Sequence, residues 1–246
     1  MIKLITIITK FIIATLIALL FASCNFFVNS NSRIKGNGNI TTENRSVSQY
    51  FKSIEVKNGI KVIVEQSDNK SITVETDENL QKNIITKVEN GVLIIESDKS
   101  YNSEETPVVR VELPIIKGLA ASSGSEITSK GTLITDDINV KSSSGSAISI
   151  KVEADAITVE SSSGSTIEVN GKALKLETSA SSGSEINTKT LLTNEVISKT
   201  SSGSSTSVYP IVKLEAKASS GSSINYYTTP KILTKEESSG GSINQE

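Results

Sequence analysis

The sequence predicts an all-β fold, a single-stranded β-helix (β-solenoid) with coils of about 19 residues, preceded by β-rich coils at the amino-terminal end. Three observations predict this fold. A Ser-Ser-Gly triplet recurs, with its glycines 21, 19, 19, 20, 18 and 19 residues apart. Apolar and polar residues alternate between the triplets, which is typical of β-strands. Before the triplets, short alternating runs are separated by turn signals.

Residues 1–23 are predicted to be a lipoprotein signal peptide, which takes no part in the fold. Lys3 and Lys10 carry positive charge, and residues 11–23 form an uncharged run that ends in small residues before Cys24, the only cysteine. This arrangement resembles the lipobox of bacterial lipoprotein signal peptides, and the resemblance implies cleavage before Cys24 and lipidation of its thiol. The alternative is an uncleaved membrane anchor helix over residues 4–23, which Lys10 interrupts.

The predicted lipid anchor also indicates where the protein sits. Lipid on Cys24 would hold a soluble body on a membrane, and residues 24–48, rich in Asn, Ser, Thr and Gly, are predicted to be a flexible tether. Ile34 and Ile40 are candidates for a first edge strand. We expect a cell-envelope protein with the outer membrane favoured over the inner one and its body in the periplasm or at the cell surface.

Residues 49–120 are predicted to be the amino-terminal β part of a domain that spans residues 49–246. Alternation predicts strands over residues 51–56, 60–65, 71–75, 84–88, 92–95 and 108–113. Asn58-Gly59 and Asn90-Gly91 are tight-turn signals. Residues 77–82 are predicted to form one helical turn that begins at Asp77.

The order of short motifs in this part resembles a known family. The motifs are FKSIEVKNGIKVIVEQ at 51–66, DENL at 77–80, VLII at 92–95, VRVELP at 109–114 and AASSGS at 120–125. Their order resembles the head GIN domain of putative auto-transporter adhesins, from residue 51 to the C-terminus, although Lys61 stands where that family often has Asn. The resemblance implies a β-helix-like fold in a cell-envelope protein, often a lipoprotein, of uncharacterised molecular function.

Residues 121–246 are predicted to be the repeat coils. When the repeats are aligned on their glycines, the positions three after and seven, five and three before each glycine share one face and are predicted to point inward. The first of these positions carries Ile127, Ile148, Ile167, Ile186, Thr206, Ile224 and Ile243. The intervening solvent positions carry Lys141, Glu160, Ser179, Lys199, Lys217 and Glu236.

Each coil is predicted to bend at its triplet, where glycine permits either a backbone geometry that a Cβ would forbid or a close approach of the next coil. These structural corner glycines are Gly124, Gly145, Gly164, Gly183, Gly203 and Gly221. The adjacent serines are predicted to hydrogen-bond along the stack. In the last repeat Lys235 and Glu237 occupy inward positions, which is typical of a capping coil. The alternative, a low-complexity Gly/Ser linker, does not account for the regular apolar residues between triplets.

The residue types exclude most catalytic constellations. The chain has no His, and its one Cys is the predicted lipid site, so neither a Ser-His-Asp triad nor a His-bound zinc is available. We predict no catalytic, cofactor-binding or metal-binding residues. The net charge of −2 gives no basis for a nucleic-acid partner.

Four residues are candidate ligand contacts. Asp136 and Asp155 lie nine residues before their next triplet glycine and are predicted to stack on adjacent coils. Stacked carboxylates serve acid/base chemistry or bind Ca²⁺, but two solvated charges on a loop are the favoured interpretation. Tyr226 and Tyr227 would offer rings for sugar stacking, with packing in the core or cap as the favoured alternative.

Three functional hypotheses follow from these observations. The first is a non-enzymatic envelope lipoprotein that contacts the membrane through its lipid and binds an unknown envelope protein or glycan, with adhesion implied only by the family resemblance. The second is a carbohydrate-active β-helix enzyme that acts on a polysaccharide through Asp136 or Asp155. The third is a purely structural spacer. The oligomeric state is left open.

Overall fold

The computed structural model describes residue 15 and residues 33–246. Cys24 and, apart from residue 15, the predicted signal peptide lie outside the described residues. The chain divides into two units, Met1–Arg33 and Ile34–Glu246, and the second unit contains all of the strands described below. Within the described part of the chain, no helix has both the length and the apolar composition needed to cross a membrane.

The second unit is built almost entirely of β-strands. A short 3₁₀ helix, Glu78–Asn83, follows β5. The strands are β1 (Ile34–Lys35), β2 (Ile40–Asn44), β3 (Ser53–Val56), β4 (Lys61–Gln66), β5 (Ser71–Asp77), β6 (Ile84–Glu89), β7 (Val92–Ser97), β8 (Tyr101–Asn102), β9 (Val108–Leu113), β10 (Gly118–Ala121), β11 (Glu126–Ser142), β12 (Ala147–Ser161), β13 (Thr166–Ala180), β14 (Glu185–Thr200), β15 (Ser205–Ala218), β16 (Ser223–Tyr226), β17 (Ile232–Glu237) and β18 (Ser242–Gln245).

Parallel stacking of these strands confirms the predicted β-solenoid, which has about seven turns. Strands β11 to β15 are long, and each pairs in parallel with the next, so that each strand runs along much of one coil. Equivalent residues of successive coils lie opposite one another; Ile148 pairs with Ile127 on one side and with Ile167 on the other. Strand neighbours in such a sheet lie about 4.8 Å apart, which sets the rise of each coil.

Antiparallel strands occur at the amino-terminal end of the stack. Strand β5 pairs antiparallel with β2 and β9, and β6 pairs antiparallel with β7. The strands predicted before the repeats are confirmed to within about two residues at their ends, and both predicted tight turns have positive φ angles. Ile34 and Ile40 lie in β1 and β2, so ordered strands begin inside the segment predicted to be a tether.

Asp77 plays a different part from the one that its position before a helical turn predicts. Its carboxylate makes no cap hydrogen bond with the 3₁₀ helix. Instead, the carboxylate accepts a hydrogen bond from the Gly38 amide at 2.6 Å and another from the Ser103 hydroxyl. The buried Asp77 side chain thus joins the segment between β1 and β2 to the loop after β8, a long-range contact that local sequence does not reveal.

The inward and outward positions predicted for the repeats are confirmed, apart from the last coil. The side chains three residues after each glycine are buried, and those predicted to face solvent are exposed. Leu233, predicted to point inward, is 41% exposed because it lies on β17, an outermost strand whose residues are all exposed.

The charged residues of this last coil form the predicted cap. Lys235 Nζ donates to the Ile243 carbonyl oxygen at 2.9 Å and lies 4.7 Å from the centroid of the Tyr226 ring. Glu237 Oε1 accepts from the Ile243 amide at 2.6 Å. These contacts place polar groups over the apolar interior of the coil beneath.

Candidate functional site

The Ser-Ser-Gly triplets form a column of tight turns along one edge of the solenoid. In each turn both the second serine and the glycine have left-handed backbone angles; φ is +54° at Ser163 and +69° at Gly164. Two successive left-handed residues define a type I′ turn. Nothing lies within 4 Å of the position that a Cβ on Gly164 would take. Of the two predicted reasons for glycine, the backbone geometry is therefore the correct one here, and close approach is not.

Of the serines beside each glycine that were predicted to hydrogen-bond along the stack, the one directly after the glycine does so. Ser165 Oγ donates to the Ser142 carbonyl oxygen of the preceding coil at 2.8 Å and accepts from the Ser162 amide of its own turn at 3.1 Å. The equivalent residues are all buried: Ser125, Ser146, Ser165, Ser184, Ser204 and Ser222. A serine after every one of the first six triplets was the available signal.

The triplet column is explained by this structural role. Each glycine amide donates to the carbonyl oxygen of the second serine in the next turn, as from Gly164 to Ser182 at 3.1 Å. A polar groove of about 310 Å³ lies beside the column, with Lys141 and Glu160 on its wall. Since the turns hold one another, the repetition of the triplet follows from stacking alone.

A second groove lies on a different face and is the candidate functional site, which we call the apolar groove. It has a volume of about 670 Å³ and crosses β11 to β15. Four large apolar side chains in its lining are exposed: Ile134 at 65%, Leu174 at 52%, Leu192 at 48% and Ile211 at 41%. Exposed apolar side chains gathered in one place mark contact sites for partners or ligands.

The strand register brings these residues together from distant parts of the chain. Thr135 on β11, Ala154 on β12, Ala173 on β13 and Thr193 on β14 lie opposite one another in turn. The two alanines line the groove, and Ala173, which is 7% exposed, also belongs to the core beneath it. Each coil thus contributes one to three residues to a continuous surface.

Asp136 and Asp155 both line the apolar groove, so the structure brings these two candidate residues together. The register of their neighbours places them on adjacent coils, as predicted. The Asp136 side chain is 93% exposed and lies 3.7 Å from Lys117 Nζ. The pKa of Lys117 is raised, first by its hydrogen bond to Asp137 at 2.7 Å and then by the charges of both carboxylates.

The other charged residues of the groove form an ion pair at its rim. Lys172 Nζ lies 3.1 Å from Glu153 Oε2, and both side chains are exposed. Within residues 33–246, no three acidic, histidine or cysteine side chains are grouped so as to hold a metal ion. The arrangement provides a contact surface with charged edges. Its two aspartates are exposed, as the favoured interpretation proposed, but they lie on β11 and β12 and not on a loop.

The two candidate tyrosines have separate environments. Tyr226 is only 3% exposed and belongs to the hydrophobic core, so its ring has no free face for a sugar. Tyr227 is 37% exposed, and its amide donates to the Val208 carbonyl oxygen at 3.0 Å. Neither residue lines the apolar groove.

Comparison with known proteins gives a family match and several structural neighbours. The family model described as "Putative auto-transporter adhesin, head GIN domain" matches residues 50–230. No curated protein matches the sequence.

Three crystal structures share the fold at low sequence identity. A putative adhesin from Bacteroides fragilis is 17% identical, with a TM-score of 0.79 over 87% of this chain and 100% of that one. A putative adhesin from Parabacteroides distasonis is 18% identical, with a TM-score of 0.71 over 87% and 100%. A putative lipid binding protein from the same species is 20% identical, with a TM-score of 0.68 over 87% and 99%.

Proposed function

The chain belongs to the head GIN domain family of putative auto-transporter adhesins, and we propose that it is a non-enzymatic cell-envelope lipoprotein whose solenoid presents the apolar groove to a protein partner. The family and the β-solenoid support an adhesion-like role in the cell envelope. Beyond this role, we propose which surface makes the contact, that a lipid anchors the protein, and that the partner is a protein.

The exposed apolar groove is the observation that carries this proposal. Leaving large aliphatic side chains in water is unfavourable by about 25 cal/mol for each Å² of apolar surface. A solenoid coil offers many exposed positions to polar residues, as the lysines and glutamates on another face of β12 to β15 demonstrate. Burial of Leu174 and Leu192 against a partner would recover the free energy that their exposure costs.

Two matched variants on β14 test whether the apolar groove is the contact surface. Leu192 lines the groove at 48% exposure, whereas Ile197 is an apolar residue of similar exposure, 37%, on another face of the same strand. We expect Leu192→Asp to abolish attachment of expressing cells to surfaces coated with envelope extract, and Ile197→Asp to preserve it. Equal attachment by both variants and the unchanged protein would contradict the proposal and favour the spacer hypothesis.

The lipid anchor is a separate part of the proposal. Residues 1–23 would be removed as a signal peptide, and Cys24 would carry the lipid that holds the body on the outer membrane. We expect Cys24→Ala to move the protein from the membrane fraction to the soluble fraction and to stop incorporation of labelled fatty acid. Retention of the variant in the membrane fraction would favour an uncleaved anchor helix instead.

A carbohydrate-active enzyme is the second candidate, because Asp136 and Asp155 share one groove. This alternative requires one carboxyl group to act as an acid and the other as a base or nucleophile. It predicts cleavage of a polysaccharide that Asp136→Asn or Asp155→Asn abolishes without loss of folding. The absence of any cleavage across a panel of polysaccharides would remove it.

A further inference from the structure

We propose that the occupant of the apolar groove is a second copy of this chain, related to the first by a two-fold axis perpendicular to the groove and lying between β13 and β14. This inference rests on the proposed function of the groove as a contact surface. It adds the identity of the partner and the geometry of the contact, both of which follow from how charged and apolar residues are distributed over successive coils.

The charges at the two ends of this face have opposite signs. Asp136 on β11 and Asp155 on β12 lie at the amino-terminal end, and both are exposed. Lys213 on β15 and Lys231, just before β17, lie towards the carboxyl-terminal end. An antiparallel second copy would place its basic end over the acidic end of the first. Complementary charges of this kind orient two surfaces as they meet.

The order of the strands gives the position of the axis. Strands β11, β12, β13, β14, β15 and β17 follow one another across this face. Asp155 and Lys213 lie on β12 and β15, whose midpoint is the boundary between β13 and β14. Asp136 on β11 and Lys231 beside β17 have the same midpoint, and so do Lys175 on β13 and Glu195 on β14. Along the strands, Asp136 and Lys231 share one register position and Lys175 and Glu195 share the next, whereas Lys213 lies one residue beyond the position of Asp155. A two-fold axis along the strand direction at this boundary therefore relates two oppositely charged pairs and brings the third within one residue.

The exposed apolar residues lie on both sides of this boundary, although their positions along the strands differ by two to three residues. Leu174 and Leu192 lie on β13 and β14, immediately on either side of the proposed axis. Ile134 on β11 and Ile232 on β17 lie at equal distances from it, counted in strands, and are 65% and 54% exposed. A face of this kind is self-complementary, as an interface between two identical copies must be. The apolar residues would be buried at its centre and the charged pairs would surround them.

A lipid bilayer is a less suitable occupant of this face. Asp155 lies within the groove itself and forms no ion pair within residues 33–246, so inserting the leucines into a membrane would also remove water from an unpaired carboxylate. Burial of an unpaired charge costs several kcal/mol. A second copy supplies lysines at the corresponding places, which a lipid tail does not.

Cysteine cross-linking of the full chain tests the geometry directly. Asn194 on β14 lines the groove beside the proposed axis, and Lys199 is an exposed residue on another face of the same strand. We expect Asn194→Cys to give a disulfide-linked dimer under mild oxidation, because the two copies of this residue would lie within disulfide reach. Lys199→Cys is the matched control and should give the same background as the unchanged chain, which retains Cys24. Equal dimer yields for the two variants would overturn the proposal.

Charge reversal tests the antiparallel arrangement. We expect Asp155→Lys alone and Lys213→Asp alone each to weaken dimerisation about tenfold in sedimentation equilibrium of the full chain in detergent, since each change creates two repulsive contacts in a two-fold dimer. The double variant restores attraction and should return to the original dissociation constant. Failure of the double variant to recover would overturn the proposed pairing.

The same experiments separate this inference from the proposed function. A chain that stays monomeric and gives no cross-link through Asn194→Cys overturns self-association, but the groove remains a contact surface if Leu192→Asp still abolishes attachment. If attachment is also unchanged by Leu192→Asp, both proposals fail. Cross-linking of Asn194→Cys to a different protein, or its protection by lipid, would likewise overturn the second-copy assignment alone.

Discussion

Gly164, in the turn before β13, and Gly171, within β13, are glycines for different reasons. Gly164 has φ +69° and open space around it, so only its backbone angle requires glycine. Gly171 has φ +123°, and a Cβ there would overlap the carbonyl oxygen of Val152 on the preceding coil. The first requirement is conformational, and the second is both conformational and steric.

Alanine substitution separates these two requirements. We expect Gly164→Ala to lower the free energy of unfolding by about 1 kcal/mol, the cost of placing an alanine in a left-handed conformation. Gly171→Ala should cost at least about 3 kcal/mol, because the backbone of two coils must also move apart. Guanidinium denaturation monitored by circular dichroism measures both values. Equal losses of unfolding free energy in the two variants would contradict this distinction, because only Gly171 has a neighbouring backbone atom that a Cβ would overlap.

The buried serine of each turn should be more important for stability than the serine that begins it. Ser165→Ala would remove the side-chain hydrogen bonds to the buried Ser142 carbonyl and the Ser162 amide, which stay paired with each other at 3.0 Å. The expected cost is therefore about 1 kcal/mol. The Ser162 hydroxyl makes no hydrogen bond within the described chain, so Ser162→Ala is the matched control and should change stability by less than about 0.5 kcal/mol. The midpoints of thermal unfolding compare the two, and a control as damaging as Ser165→Ala would refute the assignment.

At the level of the element, the alternating pattern predicts the strands because inward and outward positions have a period of two. The long strands β11 to β15 were predicted only as separate inward positions around each triplet, since their continuity depends on pairing with the coils on either side. The close approach at Gly171 was missed for the same reason: its partner on the preceding coil, Val152, lies 19 residues earlier. The length of these strands and the close approach at Gly171 depend on contacts between coils, which the order of residues within one coil does not show.

The terminal strand β17 illustrates how one element ends a stack. We expect Glu237→Ala to increase hydrogen exchange of the Ile243 amide at least tenfold, because that amide would lose its carboxylate acceptor. Glu236, the adjacent residue, forms an exposed ion pair with Lys217 at 2.6 Å, and pairs of this kind contribute little to stability. Glu236→Ala should therefore leave exchange at Ile243 unchanged, and equal protection in the two variants would contradict the capping role.

For the whole molecule, the sequence predicts the solenoid and the stacking of Asp136 on Asp155, because a constant repeat length places equivalent residues together. It does not predict the apolar groove. Ile134 and Leu192 stand eleven residues before their next triplet glycine, Ile211 ten and Leu174 nine. The four residues become one surface only through the register of five strands and the shape of the bend. The family match and the structural neighbours confirm the fold but do not identify the groove.

Removal of one coil tests the independence of the repeats. Deletion of residues 146–164 removes 19 residues and joins Gly145 to Ser165. Ser165 then takes the place of Ser146, because each of these serines directly follows a triplet glycine. We expect this variant to fold, with a β-sheet circular dichroism spectrum and a smaller dependence of unfolding on denaturant. Deletion of residues 146–155 removes about half a coil and should prevent folding, because every later inward residue would lose its register. Folding of both variants, or of neither, would argue against independent coils.

The stacking of coils along one axis, each held by its two neighbours, determines how the body responds to mechanical tension. A pull between its two ends loads the coils in series, so that the outermost coil peels away while the others stay intact. Each coil of about 19 residues would release roughly 60 Å of chain. A protein that holds a surface against flow would then lengthen in steps and dissipate work at each one, which optical-tweezer extension would record as regularly spaced ruptures rather than as a single collapse.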